Sequence, residues 1–347
     1  MTLVVVDADV LGRERTGDET YVRNLLRALP EPARAAGLEI AAVTRRPDLV
    51  PADVLSVLLP ARSQELRMAW TLPKALRRLK AALVHTQYAL PLRCPCPVVV
   101  TIHDLSFEHG LMGRRDRLLF RRVVPHAARG AACILTVSER TKRDLVELYA
   151  IPPEKIAVTP NGVDPAFRPL GAGRPSDASR SSGLGEPYVL AVGAIQERKN
   201  QLAALRAAAS AGLPLVVVGP TKDDGTAAEL REAGALLEGY VPRERLAELY
   251  RGAVCLVQAS RHEGFGLPMV EAMASGTPVV AVPDPALVEV ADGAAIVVAE
   301  SELGAGIRRA VDERETWVRA GLERVRGLTW EATAEATVAA YVEALAR

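Results

Sequence analysis

Residues 188–218 read YVLAVGAIQERKNQLAALRAAASAGLPLVVV, and this stretch decides the fold. A short valine-rich run at 188–192 is followed by an alanine- and leucine-rich segment at 200–211 and then by a second apolar run at 214–218. The outer segments have the length and composition of buried strands, and the middle segment has those of a helix. The stretch therefore predicts a βαβ unit with parallel strands.

The same alternation runs through both halves of the chain. In the N-terminal half, strands are predicted at 3–6, 40–43, 83–85, 97–102, 133–137 and 156–159. Helices are predicted there at 21–29 and, capped by Ser138, at 139–149. In the C-terminal half, the predicted helices are 226–235, 243–250 and 268–275, the strands are 254–258 and 279–282, and a helical tail follows from Glu302. Near-continuous apolar strands need cover on both faces, so each half is predicted to be a doubly wound α/β domain.

A segment of different composition separates the halves. Residues 169–187, PLGAGRPSDASRSSGLGEP, are rich in Gly, Pro and Ser and have no hydrophobic periodicity, which is typical of a linker. The predicted domains are therefore 1–168 and 188–328, with a linker over 169–187. Ligands of such sheets bind at the carboxyl ends of strands, so we expect a site in a cleft between facing domains.

Composition and charge exclude several classes of protein. The chain is 49% hydrophobic and 24% charged, which is typical of a globular protein, and its net charge of +1 gives no general attraction to nucleic acid. The N-terminus lacks the pattern of a signal peptide and no apolar run has the length of a membrane span, so we expect a cytoplasmic protein. The cysteines lack metal-ligand spacing and are expected to be free thiols: Cys94, Cys96, Cys133 and Cys255.

A second stretch, RHEGFGLPMVEAMASGTPVVAV at 261–282, carries the candidate site. A proline and a glycine at its centre and end mark the boundaries of a predicted helix. This places Glu263 on the loop after a strand and Glu271 on the first turn of the helix. Gly264 and Gly266 would let backbone N–H groups approach an anion closely at the helix N-terminus.

Two interpretations of these glutamates are open. Glu271 could serve only to complement the helix dipole, an effect of roughly 0.3–1 kcal/mol, but this gives no reason for Glu263. Alternatively, two carboxylates beside an amide-lined anion site could bind a ligand in which a phosphate lies between two hydroxylated sugars.

At this point the chain resembles a known family. The segment EGFGLPMVEAMASGTPVV is similar to the E-x7-E signature of GT-B retaining glycosyltransferases of family 4, the "group 1" type. Six further segments are similar to that family in order and spacing: TIHDLSF, TVSERTKRDL, PNGVD, VGAIQERKN, GYVPRERLAELYRGA and LTWEATAEATVAAYVEAL. The resemblance covers nearly the whole chain. It implies the GT-B fold, in which two Rossmann-like domains face a cleft and a C-terminal helix, here 329–347, packs back on the first domain.

The resemblance also implies roles for individual residues. Glu263 would lie near the donor hexose, Glu271 would bind the nucleotide ribose, and His103 would face the donor sugar. Arg198 and Lys199 would neutralise the diphosphate leaving group. The catalytic candidates are thus Glu263, His103, Lys199 and Arg198. The other donor-binding candidates are Gly264, Phe265, Gly266, Leu267, Gly193, Tyr240 and Val241.

Two further features concern the acceptor and metal ions. The segment RTGDETY at 15–21 is read as a loop with acidic residues where relatives often have a second glycine. Acidic side chains suit a diphosphate poorly, so Gly17, Asp18 and Glu19 are expected to meet the acceptor. Asp7 and Asp9 have the spacing of a metal-binding motif but follow the first strand of the other domain, and we interpret them as incidental. No metal and no other cofactor is expected.

Two basic segments leave membrane contact open. Residues 67–83 and 113–124 mix Arg and Lys with Leu, Trp and Phe. Either could form a shallow surface for the inner face of a membrane or for a polyprenyl diphosphate. Each could equally be an ordinary amphipathic helix with a solvated basic face, and the second could instead position an acidic acceptor.

The sequence therefore predicts a retaining, metal-independent glycosyltransferase. It would move a hexose from a sugar nucleotide, with mannose from GDP-mannose as the leading donor, to a glycan, lipid-linked or small-molecule acceptor. The family implies a same-face reaction assisted by the leaving phosphate, since it lacks a convincing protein nucleophile. Two alternatives are a non-catalytic or degenerate sugar-nucleotide-binding protein and a dinucleotide-dependent oxidoreductase. The oxidoreductase would need a G-x-G-x-x-G after the first strand, where LGRERTG stands instead.

Overall fold

The computed structural model describes residues 2–13, 16–61, 63–111, 113–169 and 185–347. Its contacts divide the chain into two compact units. The first contains Met1–Gly162 and Trp330–Arg347, and the second contains Val163–Thr329. The sequence placed the end of the first domain at residue 168, slightly later than this division. Most of the predicted linker, 170–184, lies outside the described residues.

The first unit is built on a parallel sheet of seven strands. They are β1 Thr2–Asp7, β2 Leu38–Thr44, β3 Leu55–Leu58, β4 Leu83–Gln87, β5 Val98–Ile102, β6 Cys133–Thr136 and β7 Ile156–Val158. Their order in the sheet is β3-β2-β1-β4-β5-β6-β7, and every neighbouring pair is parallel. The order reverses between β1 and β4, which makes this the switch point of a doubly wound sheet.

Helices cover both faces of this sheet. They are α1 Thr16–Ala28, α2 Pro30–Ala35, α3 Gln64–Leu66, α4 Leu72–Leu79, α5 Arg114–Gly130 and α6 Glu139–Tyr149. A π-helical turn, Arg67–Thr71, joins α3 to α4, and single 3₁₀ turns occur at Pro47–Leu49 and Pro153–Lys155. Val4 and Val6 pack in one apolar cluster and Val5 in another, because successive side chains of a strand point to opposite faces.

One predicted helix cap is confirmed by the structure, and one predicted loop is not. Ser138 caps α6 as expected, since its Oγ accepts a hydrogen bond from the Thr141 N–H at 3.2 Å. The loop expected at 15–21 is wrong, because α1 begins at Thr16. Asp18 and Glu19 lie in the first turn of α1, where carboxylates are favoured by the helix dipole.

The second unit repeats the architecture with six parallel strands. They are β8 Val189–Val192, β9 Leu215–Val218, β10 Leu236–Gly239, β11 Cys255–Gln258, β12 Val279–Ala281 and β13 Ile296–Val297. The order β10-β9-β8-β11-β12-β13 reverses between β8 and β11. The βαβ unit expected at 188–218 is confirmed, since β8 and β9 are parallel neighbours.

The described residues of the second unit form seven helices around this sheet. They are α7 Gln201–Ser210, α8 Asp224–Glu232, α9 Arg243–Gly252, α10 Leu267–Ala274, α11 Pro285–Ala291, α12 Leu303–Asp312 and α13 Arg314–Val325. Single 3₁₀ turns precede α7 at Glu197–Lys199 and α12 at Glu300–Glu302. The two sheets and their helices confirm an α/β fold of two Rossmann-like units.

The last helix, α14 (Trp330–Ala346), belongs to the first unit. It packs against α1, α2 and β6, and it places Trp330 and Tyr341 in the apolar cluster that contains Tyr21. The Tyr341 hydroxyl lies 2.6 Å from Nδ1 of the buried His85. The first unit is therefore assembled from two stretches of chain that are far apart in sequence.

Two further observations concern the cysteines and the apolar character of the helices. The four cysteines are free, as expected, and the Sγ atoms of Cys94 and Cys96 are 4.0 Å apart. Over the described ranges, no helix has both the length and the apolar character that crossing a bilayer requires.

Gly219 holds the ends of β8 and β9 close together. Its φ is +144°, and a Cβ added there would lie 2.2 Å from the Gly193 carbonyl oxygen. Backbone cannot move aside as a flexible side chain can, so we expect Gly219→Ala to lower the free energy of unfolding by about 2–4 kcal/mol. Thermal unfolding of the purified chain measures this effect.

Gly212→Ala is the matched control for this substitution. Gly212 also has a positive φ, +71°, but a Cβ there would meet no atom of the described residues within 4 Å. Only the backbone strain of about 1–2 kcal/mol should then appear. Equal losses of stability in the two variants would contradict the close approach at Gly219.

Candidate functional site

The carboxyl edge of the second sheet gathers charged side chains from three neighbouring strands. Arg198 and Lys199 follow β8, Glu263 follows β11, and Asp284 follows β12. The carboxyl ends of parallel strands lie at one edge of a sheet, and β8 and β11 flank the switch point. The sequence placed Arg198, Lys199 and Glu263 at strand ends, and the structure brings them into contact.

Glu263 is the centre of this group and is 6% exposed. Lys199 Nζ donates a hydrogen bond to Glu263 Oε1 at 2.6 Å, and Arg198 Nη1 lies 3.4 Å from Oε2. Gln258 Nε2 also donates to Oε1, at 3.0 Å. Arg198 is oriented by the His262 carbonyl, which accepts its Nη1 at 2.7 Å. The two cations expected to await an anionic ligand are thus already paired with a protein carboxylate.

The charge state of this group follows from its burial and its partners. Burial alone would raise the pKa of Glu263, but the nearby charges of Lys199 and Arg198 outweigh it and lower the pKa to about 2. The carboxylate is therefore ionised at neutral pH. Lys199 and Arg198 both contact it.

Asp284 supports the loop that carries Glu263. Its Oδ1 accepts hydrogen bonds from the N–H groups of Ala286 and Leu287 at 3.0 and 3.2 Å, so it caps α11. Burial raises the pKa of Asp284 to about 6, with a contribution from the charge of Glu263. Asp284 was not among the predicted site residues, although an Asp directly before Pro285 is a recognisable helix start.

The glycine-rich turn between the two glutamates is buried and tightly packed. Gly264, Phe265 and Gly266 are buried, whereas Leu267, the first residue of α10, is half-buried. Gly266 has a φ of +100°, and a Cβ there would lie 2.6 Å from Leu287 Cδ2. Only glycine fits at this position, which directly precedes α10.

Glu271 does not occupy the position expected from the sequence. It is the fifth residue of α10, outside the first turn, so the dipole interpretation of this carboxylate is wrong. It is 8% exposed, and the Tyr250 hydroxyl donates a hydrogen bond to its Oε2 at 2.8 Å. Burial raises the pKa of Glu271 to about 8; the Tyr250 hydrogen bond opposes this shift, and the charge of Asp164 adds to it.

The remaining donor-side candidates lie around β8, β10 and α9. Gly193 directly follows β8 and is buried. Tyr240 follows β10 with 48% of its surface exposed, and Val241 is half-buried. Near them, Arg243 Nη1 donates to Asp164 Oδ2 at 2.6 Å. Sequence reasoning missed the Asp164–Arg243 pair and Tyr250, since their proximity depends on the packing of segments distant in sequence.

In the first unit, His103 follows β5 and is half-buried. Its Nε2 lies 3.0 Å from Gln87 Oε1, and its ring meets the Tyr21 ring edge-on with the centroids 4.7 Å apart. Burial lowers the pKa of His103, although Asp18 and Asp104 act in the opposite direction. The imidazole is then neutral at pH 7. Because the Gln87 oxygen can only accept, Nε2 carries the proton and Nδ1 is a hydrogen-bond acceptor.

A buried network that the sequence did not indicate lies behind His103. His85 Nε2 is 2.6 Å from Thr101 Oγ1, whose other neighbour is the Tyr21 hydroxyl at 3.0 Å. The Tyr341 hydroxyl lies within hydrogen-bond distance of the other ring nitrogen of His85, Nδ1. Burial and the charge of His103 lower the pKa of His85 to about 3, so this imidazole is neutral. The network fixes Tyr21, against which His103 packs.

The acceptor-side candidates have different surroundings. Glu19 is buried, and its Oε1 accepts the Gly12 N–H at 3.0 Å and Arg23 Nη2 at 2.5 Å. Glu19 thus holds the turn after β1 against α1. Gly17 is exposed and Asp18 is half-buried.

Two family sequence models match the chain. The description of the first is Glycosyltransferase Family 4, and it matches residues 15–167. The description of the second is Glycosyl transferases group 1, and it matches residues 176–321, which include both glutamates and the basic pair. The chain belongs to the GT-B glycosyltransferases of the group 1 type.

Named relatives of this glycosyltransferase act on different substrates. It is 29% identical over 297 residues to O-antigen chain mannosyltransferase B of Escherichia coli, covering 79% of this chain and 77% of that one. It is 32% identical over 285 residues to D-inositol 3-phosphate glycosyltransferase of Acidothermus cellulolyticus, covering 72% of this chain and 62% of that one. Among solved structures, sucrose-phosphate synthase from Thermosynechococcus elongatus matches with a TM-score of 0.77 at 23% identity, over 100% of both chains, which supports the fold.

Proposed function

We propose that this glycosyltransferase is a retaining, metal-independent enzyme that transfers a hexose from a sugar nucleotide, with GDP-mannose as the leading donor. The observation that carries the proposal is the contact of Lys199 and Arg198 with Glu263 at the switch point of the second sheet. A sugar nucleotide places a diphosphate beside a hexose, and this group holds two cations beside a carboxylate that is ionised at neutral pH.

The basic pair would stabilise the leaving group. As the bond from C1 of the hexose to the diphosphate breaks, negative charge builds on the β-phosphate oxygens. Preorganised cations at that position lower the barrier without a metal ion. Lys199 Nζ and Arg198 Nη1 are held by Glu263 and by the His262 carbonyl, so they need little rearrangement to meet the phosphate.

The carboxylates would bind hydroxyl groups on either side of the diphosphate. Glu263 would accept hydrogen bonds from the hexose, and Glu271, positioned by Tyr250, would accept them from the ribose. The acceptor hydroxyl would attack C1 from the face that the diphosphate leaves, and a phosphate oxygen would take its proton. His103, neutral with Nδ1 as an acceptor, would hold a hydroxyl of the donor sugar.

The mannosyl donor is supported by a relative named as a mannosyltransferase at 29% identity. A glycan acceptor has the same support. A lipid-linked acceptor is favoured by exposed apolar side chains on the two basic segments: Trp70 is 70% exposed, Leu118 60% and Leu119 50%. Such side chains would suit the inner surface of a membrane.

Nucleotide binding and metal removal test the proposal together. Among GDP, UDP, dTDP and ADP at equal concentration, GDP is expected to raise the Tm most, because a ligand that binds the native state stabilises it by mass action. Transfer from GDP-mannose is expected to continue unchanged in EDTA and to give a product with the anomeric configuration of the donor, read by NMR.

Each part of the proposal has an outcome that contradicts it. A larger Tm increase with another nucleotide would contradict GDP-mannose as the donor. Loss of transfer in EDTA, restored by a divalent ion, would overturn metal independence. An inverted product would overturn the same-face mechanism, and nucleotide binding with no transfer or hydrolysis of any donor would favour a binding protein.

A further inference from the structure

A cavity of about 420 Å³ lies at the carboxyl ends of β1, β2 and β3 in the first unit. Its polar lining is formed by Asp9, Arg13, Arg45, Ser63, Gln64 and Arg67. Asp9 follows β1, Arg45 follows β2, and Ser63 and Gln64 follow β3. The catalytic and donor-binding candidates do not line this cavity.

In the described part of the chain, the arginines around the cavity outnumber the acidic residues with which they pair. Arg67 is 1% exposed, and its Nη1 donates to Asp7 Oδ2 at 2.5 Å. Asp9 accepts Arg45 Nε at 2.9 Å, has Arg67 Nε at 3.5 Å and also pairs with Arg13. Among the described residues, three guanidinium groups thus share two carboxylates.

Arg45 is the arginine best placed to bind a ligand. Its side chain is 41% exposed, and among the described residues its recorded partner is Asp9, which it contacts through Nε. This contact fixes the plane of the guanidinium group. The two terminal nitrogens then form a fork that matches two oxygens of a phosphate or a carboxylate.

A structural role explains only part of this arrangement. Arg67 and Asp7 are buried against each other and would stabilise the sheet edge without any ligand. Arg13 and Arg45 instead bring further positive charge to the single carboxylate of Asp9, and like charges repel at such distances. A bound anion would offset this repulsion.

We propose that this cavity binds an anionic group of the acceptor, a phosphate or a carboxylate, with Arg45 as the bidentate donor. The acceptor class is then a sugar phosphate, a polyol phosphate or an acidic sugar. The inference rests on the proposed glycosyl transfer, because it assigns the ligand to the acceptor. The cavity lies at the same carboxyl edge of the first sheet as His103, which would face the reacting sugar.

The test measures anion binding separately from donor binding. The full chain is first saturated with the nucleoside diphosphate that raises its Tm most, so that added anions do not occupy the site of Arg198 and Lys199. Inorganic phosphate and glucuronate are then titrated calorimetrically at low ionic strength, where charge interactions are least screened. The proteins compared are the wild type, Arg45→Ala, Arg45→Lys and Arg46→Ala.

Arg46→Ala is the matched control. Arg46 is the next residue in the chain, pairs with the exposed Asp48 at 2.7 Å and does not line the cavity. We expect one anion to bind the wild type and Arg46→Ala alike, and to bind Arg45→Ala at least about tenfold more weakly. Arg45→Lys should recover only part of the affinity, because lysine keeps the charge but lacks the fork.

The choice of anion identifies the acceptor. Binding of phosphate supports a phosphorylated acceptor, and binding of glucuronate supports an acidic sugar. Equal affinity of the wild type and Arg45→Ala, or no binding of either anion to the wild type, overturns the inference. Nucleotide binding, measured in the same samples, is the separate test of the proposed function: if it fails in the wild type, the glycosyl transfer itself is overturned. A nucleotide-binding defect confined to Arg45→Ala would place Arg45 at the donor and also overturn the inference.

Discussion

Glu263→Gln is expected to reduce glycosyl transfer by at least about 100-fold while leaving nucleoside diphosphate affinity equal or higher. The substitution keeps the shape of the side chain but removes the charge that Lys199 and Arg198 share. A diphosphate would then meet two cations with no competing carboxylate, and so would bind at least as well. The hexose would lose its ionised acceptor, and the cations would lose the group that orients them.

The same substitution is expected to destabilise the chain in the absence of nucleotide. Removing one partner of a buried ion pair costs about 3–5 kcal/mol, because the remaining charges stay desolvated. The pKa of Glu263 is lowered to about 2 in the folded state, so its stabilising contribution is present above its ordinary pKa of 4.5 and is lost as the pH falls toward 2. Glu263→Gln should lack this acid-sensitive part of the unfolding free energy.

Kinetics with the leading donor and thermal unfolding measure both effects. Glu323→Gln is the control, because Glu323 lies in the same unit and pairs with Arg326 at 2.7 Å, with both side chains more than half exposed. Its loss should cost less than about 1 kcal/mol and leave transfer unchanged. If Glu263→Gln turned over at the wild-type rate, Glu263 would have no role in transfer and would only pair with Arg198 and Lys199.

Glu271→Gln is expected to gain stability at pH 8 and to lose at least about tenfold in nucleotide affinity. The pKa of Glu271 is raised to about 8 in the folded state, so the folded chain holds a proton that the unfolded chain releases near pH 4.5. Wild-type stability from this group therefore falls as the pH rises from about 4.5 to about 8. Glutamine does not titrate, and the variant should not show this fall.

The loss of nucleotide affinity comes from the ionised form of Glu271, whereas the gain in stability comes from removing its titration. An ionised carboxylate can accept hydrogen bonds from both ribose hydroxyls, whereas an amide offers one acceptor and one donor group. Wild-type affinity should rise as Glu271 ionises between pH 6 and pH 8, and the affinity of Glu271→Gln, measured with the same nucleotide, should not. Tyr250→Phe removes the hydrogen bond to Glu271 Oε2, so it should move this rise to higher pH. If nucleotide affinity depended on pH in the same way in all three proteins, Glu271 would not be the residue that binds the ribose.

The sequence predicted the buried strands well because their signal is local. Leu215–Val218 is apolar throughout, Val98–Ile102 is apolar except for Thr101, and both are fully buried, so composition and length identified them. Three edge or short strands were missed. Leu55–Leu58 and Leu236–Gly239 lie at sheet edges with much of their surface exposed, and Ile296–Val297 has only two residues. Such strands are defined by their neighbours rather than by a hydrophobic run.

The site was predictable where residue type and position in a βαβ unit decide the chemistry. Arg198, Lys199 and Glu263 follow strands that are adjacent in the sheet, so their meeting follows from topology. That Glu263 would pair with both basic residues, and that Glu271 would be protonated beside a tyrosine, depends on distances and burial. Neither property is encoded in the spacing of the two glutamates.

The placement of α14 in the first unit has a consequence for the order of folding during synthesis. The hydrogen bond between His85 and Tyr341 joins residues 256 positions apart, and Trp330 packs near Tyr21. A ribosome must therefore make the entire second unit before the first can complete its core. A fragment ending at Gly162 would expose the apolar surface that α14 covers and leave His85 Nδ1 without its tyrosine. The second unit, continuous in sequence from Val163 to Thr329, can close first, although it is translated later than most of the first.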